Sequence, residues 1–226
     1  MNIYQFFKAH ISLLSISFVA LWLLFPVDGL VDMYLIQPWL SSSGEFYLKH
    51  NFYLEVLNHQ YVKYILIAVY ISLLTTFIGS FKIDQLKDQR VESLYFFVMV
   101  IISTSVIGIM KTQSAHACPW DMILQQQDSY SWIMSQKEGH CFPGGHASTG
   151  FALMTGYFIH YFQNRRRAIF YLFASLILGF GMGWAQMMRG AHFFSHNLWT
   201  GWIIWLINLT AFWLFHKKLK VVDSDN

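Results

Sequence analysis

Charge is what this chain has least of. Of its 226 residues only 12% are Asp, Glu, Lys or Arg, while 55% are hydrophobic and 19% aromatic. Soluble globular domains are roughly a quarter charged, so the composition excludes an ordinary soluble domain and points to an integral membrane protein. Internal repeats and low-complexity tracts are lacking too, and the chain reads as one domain, 1–226, with a core at 60–215 and an N-terminal anchor helix and interfacial loop at 1–59. The net charge is only +3. Without a nucleic-acid-binding motif beside them, these bases give no reason to invoke a nucleic-acid partner.

What the chain does contain is apolar runs. Six segments are free of Asp, Glu, Lys and Arg: 11–25, 64–81, 94–110, 147–162, 168–188 and 197–215. Several fall short of the roughly 20 residues that span hydrocarbon, so interfacial turns must complete them. The expectation is an all-α bundle of six transmembrane helices. The first run has Lys8 as its only base and no small-residue cleavage site before Pro26-Val27-Asp28, so it reads as an uncleaved anchor rather than a secretory signal peptide. The polar tail 223–226 reads as frayed.

Ten of the fifteen bases fall on one side of such a bundle: Lys8, Lys82, Lys87, Arg90, Arg165, Arg166, Arg167, Lys217, Lys218 and Lys220. The positive-inside rule makes that side cytoplasmic, with both termini. Opposite it lie the loops 26–63 and 111–146 and the short corner 189–196. The loop around 44–61 mixes aromatics with Lys49, Glu55, Asn51, Asn58 and Gln60, and reads either as an amphipathic helix in the headgroup zone or as plain connection. Between 122 and 142, Gln125, Gln126, Gln127, Tyr130 and Trp132 are either headgroup contacts or a solvated connection.

Three polar stretches, 111–121, 141–148 and 189–196, abut apolar runs on this outer side. Charge and imidazole are costly in a bilayer, so converging polar clusters are read as a functional site, here one that handles phosphate. Cys118 and Cys141, the two cysteines, both face outward and are a disulfide candidate in an oxidising compartment. The alternative is two free thiols.

Pro143-Gly144-Gly145-His146 carries the sharpest local chemistry. Two glycines allow close backbone approach, and a helix starting there points unpaired N–H groups at a phosphate. A histidine in its first turn is placed to protonate a leaving oxygen. Lys111 and Arg189 can neutralise phosphoryl oxygens, and His192 is a candidate nucleophile or base.

Together these stretches resemble the type 2 phosphatidic acid phosphatase superfamily, whose pattern is Lys-x6-Arg-Pro, then Pro-Ser-Gly-His, then Ser-Arg-x5-His-x3-Asp. Here the stretches read Lys111-x6-Cys118-Pro119, Pro143-Gly144-Gly145-His146 and Gln186-x5-His192-x3-His196. The resemblance covers 60–215 and implies a six-helix membrane phosphatase that needs no metal or other cofactor. His192 would attack phosphorus and form a phosphohistidine. His146 would protonate the leaving group, and Lys111 with the Gly144 and Gly145 amides would hold the phosphoryl oxygens. The substrate implied is a lipid phosphate: phosphatidic acid, phosphatidylglycerophosphate, a polyprenyl pyrophosphate or a lipid A phosphate, held in a bacterial inner membrane with a periplasmic site.

This chain departs from the pattern at three positions. Cys118 stands where the first motif has Arg, and Gln186 where the third has Arg, although Arg189 lies one helical turn on and is expected to replace the lost guanidinium. His196 stands where the family has the Asp that orients the nucleophile. A neutral His196 is expected to accept a hydrogen bond from His192, with Asp121 as second candidate. Cys-Pro-Trp-Asp and Arg-Gly-Ala-His-x3-His are thus read as a subfamily signature. The competing readings are a lipid phosphotransferase using the same intermediate, a catalytically inactive lipid-binding protein or transporter, and a zinc or copper site built from His116, His140, His146, His192, His196 and the cysteines.

Overall fold

The computed structural model describes residues 1–126, 129–134 and 139–219. Gln127, Lys220 and the tail 223–226, which figure in the reading above, lie outside the described residues. Helix α1 (Ile3–Leu24) opens on a capping box in which the Asn2 side chain accepts from the Gln5 N–H and the Gln5 side chain accepts from the Asn2 N–H. After it come α2 (Leu30–Ile36), α3 (Lys63–Gly79) and α4 (Arg90–Thr112). Then follow α5 (Gly145–Phe151), α6 (Met154–His160), α7 (Arg165–Met188) and α8 (Phe194–Phe215).

Among the described residues, five helical stretches are long and apolar enough to cross a membrane: Ile3–Leu24, Tyr53–Gly79, Asp84–Thr112, Arg165–Met188 and Phe194–Phe215. Large apolar side chains on them, among them Trp22, Ile65, Phe173, Ile177 and Trp213, are exposed, as suits side chains that face lipid. Five of the six expected spans are thus parts of long helices among the described residues. The run at 147–162 is two short helices, α5 and α6, enclosed by the others.

The interruption has a local cause. Leu153 N–H bonds to the Gly150 carbonyl at 3.2 Å and Gly156 N–H to that of Leu153 at 3.0 Å, so the chain tightens to i→i+3 winding for one turn. Here it crosses α7 at backbone contact. A Cβ on Gly150 would lie 2.5 Å from the Gly179 nitrogen, and no larger residue fits. Thr155 donates to Asn208 Oδ1 at 2.7 Å and Tyr70 to the Thr149 carbonyl at 2.5 Å, which ties the enclosed segment to α8 and α3.

Of the two readings of the loop around 44–61, plain connection fails over Tyr53–Val62, which is a π-helical stretch that runs straight into α3. The fold is mostly helical. One short hairpin is added to it, in which Ile123–Gln125 (β1) and Tyr130–Trp132 (β2) pair antiparallel. This hairpin belongs to a cap at one end of the bundle. There Ile36, Phe46, Ala117, Met122, Met187 and Phe193 form a buried cluster, with Trp39, Trp120 and Trp132 packed against it. The cap is what positions the site.

Candidate active site

The site forms where α4 and α7 end and α5 and α8 begin. Helix α7 closes with paired backbone bonds, Ala191 N–H to the Gln186 carbonyl and Gly190 N–H to that of Met187, both 2.9 Å, the Schellman arrangement. Gly190 has φ +77°, and the Phe46 ring fills the place a side chain would take, so this position requires glycine. The turn delivers His192 into the interior, 2% exposed. Helix α8 then starts without a side-chain cap of its own. Asp32 of α2 supplies one from afar: Oδ1 accepts the Ser195 N–H at 2.8 Å and Oδ2 the Ser195 hydroxyl at 2.5 Å.

His196 lies in the first turn of α8, fully buried. Its Nδ1 is 3.5 Å from His192 Nδ1, and its Nε2 is 3.1 Å from Asp28 Oδ1. The other oxygen of Asp28 is 2.7 Å from His116 Nδ1. Asp28 has φ +59°, a left-handed conformation that Asp tolerates better than most residues. Burial pushes the Asp28 carboxyl up, but hydrogen bonds and charge from His116 and His196 outweigh this and hold it at about 2. His116 is raised, chiefly by its bond to Asp28.

On the other side of His192 lie α5 and Lys111. The His146 ring centroid is 6.5 Å from that of His192. Lys111, in the last turn of α4, lies over the start of α5: a Cβ on Gly145 would be 3.6 Å from its Cδ and 3.9 Å from Nζ. His192 is held well below the ordinary histidine range, first by burial and then by the charges of His196, Lys111 and His146, while a hydrogen bond with the Cys141 backbone acts the other way. A neutral imidazole in a pocket of positive charge is suited to meet an anion.

The structure brings Lys111, Gly145, His146, His192 and His196 together. It gives other expected residues different surroundings. The Gly144 N–H is turned away, donating to Thr200 Oγ1 at 2.8 Å, so of the two glycine amides only that of Gly145 remains at the uncapped start of α5. Arg189, expected to replace the lost guanidinium, is occupied. Its Nη2 is 3.1 Å from Glu55 Oε1, its Nε donates to the Lys49 carbonyl at 2.8 Å, and its Nη1 to Gln186 Oε1 at 3.3 Å. Gln186 Nε2 is instead buried with no hydrogen-bond partner among the described residues. Asp121 is exposed and accepts from the Trp120 indole N–H at 3.0 Å, so its bond is to Trp120 rather than to His192.

Cys118 and Cys141 are bonded, with Cα atoms 5.1 Å apart, and neither thiol is left for a metal. Among the described residues no group of three or more His, Cys, Asp or Glu could hold a metal ion. His140 Nδ1 lies 2.9 Å from the Ser114 carbonyl. Sequence reasoning missed Asp28, Asp32 and Glu55 as partners of the site. A lone loop Asp beside Pro26 and Gly29 carries no motif, and only its placement on the same side as the three polar stretches hinted at it.

Residues 92–220 match the PAP2 superfamily. This chain belongs to that superfamily. The match contains every motif residue described above, from Lys111 to His196, whereas Asp28, Asp32 and Glu55 lie before it. A lipid A 4'-phosphatase of Francisella tularensis subsp. novicida is 24% identical over 221 residues, covering 93% of this PAP2 chain and 98% of the relative. No solved structure matches.

Proposed function

We propose that this protein hydrolyses a phosphate monoester or pyrophosphate of a membrane lipid at the periplasmic face, without a metal, through a phosphohistidine on His192. The observation that carries the reading is the buried His192 ring, held neutral between His146, Lys111 and His196 at one end of the bundle. A proton on Nδ1 directed at His196 leaves the Nε2 lone pair to attack phosphorus. His146 gives its proton to the departing lipid oxygen as the P–O bond breaks. In the second step His146 takes a proton from water, the oxygen attacks phosphorus, and the N–P electron pair returns to His192. Lys111, the Gly145 amide and the unpartnered Gln186 Nε2 hold the phosphoryl oxygens as charge redistributes.

The bases at the opposite end, Lys82, Lys87 and Arg165 to Arg167 among them, support the orientation by the positive-inside rule. The name of the relative makes a phosphorylated glycolipid the first substrate class to test. Purified protein in detergent, with chelator present, is offered a panel of lipid phosphates that includes lipid A, and phosphate release is compared with His192→Ala. Release that the substitution abolishes, with an acid-labile phosphoprotein trapped in the wild type, is the expected result. Equal release from both proteins would overturn the nucleophile, and loss of activity with chelator would overturn the metal-free mechanism.

A further inference from the structure

We propose that Asp28 is the positioning carboxylate of this site, acting on His192 through His196. The inference rests on the reading of His192 as nucleophile and goes beyond it, since Asp28 lies outside the part of the chain that matches the family. A nucleophilic histidine needs its attacking nitrogen unprotonated and its ring held, which an anion achieves by accepting the proton on the other nitrogen. At the position where the family carries that anion this chain has His196, which is neutral when it accepts.

With His196 neutral, the hydrogen-bond directions run one way. If His192 Nδ1–H donates to His196 Nδ1, across 3.5 Å, the His196 proton must sit on Nε2. That nitrogen faces Asp28 Oδ1 at 3.1 Å, and a carboxylate only accepts. Asp28 therefore sets the tautomer of His196, and His196 sets that of His192. The positive charge that develops on the histidines during attack is shared toward a fixed anion.

Asp28 is itself held. Its second oxygen takes His116 Nδ1 at 2.7 Å. The His116 carbonyl accepts the Cys141 N–H at 3.0 Å, next to the disulfide to Cys118. The other nearby carboxylate is committed, because Asp32 has both oxygens on Ser195. Asp121 is bonded to Trp120. Among the described residues, Asp28 is the acid in hydrogen-bond contact with His196.

The test compares Asp28→Asn with the double variant Asp28→Asn/His196→Asp, which restores the family carboxylate directly beside His192, and with His192→Ala as reference. Asp28→Asn is expected to lower kcat about a hundredfold or more with KM little changed, since the wrong tautomer is set while the shape is kept, and to lower Tm through the lost partner of His116 and His196 while the protein stays folded at the assay temperature. The double variant is expected to recover at least about tenfold of that loss. An Asp28→Asn rate within about threefold of wild type, while His192→Ala is dead, would overturn the role of Asp28 and leave the nucleophile standing. A folded double variant with no recovery would overturn it too. Should the double variant fail to fold, the single variant decides: a fall in kcat at constant KM, measured on protein still fully folded at the assay temperature, supports the role, and a kcat per folded molecule within about threefold of wild type overturns it. Activity surviving in His192→Ala would instead remove the reading on which the inference rests.

Discussion

His10 in α1 and His192 beyond α7 are both buried histidines with aromatic neighbours, yet their surroundings differ in kind. The Trp205 indole N–H donates to His10 Nδ1 at 3.0 Å, which leaves Nε2–H to bond the Tyr157 hydroxyl at 3.0 Å. Both nitrogens meet neutral groups, and the result is a tie between α1, α6 and α8. His192 instead faces His196, His146 and Lys111, with Asp28 behind His196. A histidine whose two nitrogens are satisfied by neutral partners holds helices together. One set among ionisable groups is suited to proton and phosphoryl chemistry.

The difference is open to direct attack. The largest effect is expected at the reactive end, where His192→Ala should cut phosphate release on the order of 10^4-fold or more while the thermal midpoint stays close to wild type, as calorimetry or a thermal-shift assay would record. His10→Leu should behave oppositely, with activity per folded molecule retained. Removing the Cys118–Cys141 bond by paired serine substitution opens a loop of sequence separation 23, worth about 3 kcal/mol in the chain-entropy account. Denaturant titration should show that loss, with the cap over the site loosening first. His10→Leu strands the Trp205 N–H and the Tyr157 hydroxyl away from water, a cost of about 1–3 kcal/mol that the same titration would measure. Activity lost in His10→Leu without loss of stability would break the comparison.

The smallest effect expected is on pH dependence. Burial holds His192 below its ordinary 6.5, so the unfolded chain takes up a proton first as pH falls, and stability declines below that value. Asp28, lowered from 3.8 to about 2, contributes stability above 3.8 that is lost as pH falls toward 2. His116, raised by Asp28, contributes below 6.5 and loses that contribution as pH rises through its folded value. Thermal midpoints measured from pH 8 down to 3 should show the first decline, and Asp28→Asn should remove the steepening at the acid end. A profile unchanged by that substitution would mean that Asp28 is not held as the hydrogen bonds imply.

Much of the fold could be read from the chain because a bilayer demands long uncharged runs: five of the six proved to be parts of membrane-length helices, and the ends of α1, α3, α4, α7 and α8 lie within a turn or two of the runs' limits except at the start of α1. The sixth run could not be read as two helices, since its interruption depends on the contact of Gly150 with Gly179 across α7. At the site, the motif spacing brought Lys111, His146, His192 and His196 into view together. It did not show that Arg189 pairs with Glu55, which belongs to a segment whose π-helical winding has no periodic signature. Nor did it show the bond of the Gly144 amide to Thr200, since a glycine amide in a loop has no direction that spacing records.

What the sequence alone determined is therefore the membrane character, the helical runs and the order of the phosphate-handling motifs, all of which follow from local composition and spacing. Only the tertiary structure decided which carboxylate stands behind His196. Asp28 and His196 are 168 positions apart, and their contact depends on α2 packing under the cap and Asp32 gripping the first turn of α8. A local pattern records which groups a segment carries, whereas the partner of a buried imidazole is chosen by the packing of segments remote in the chain.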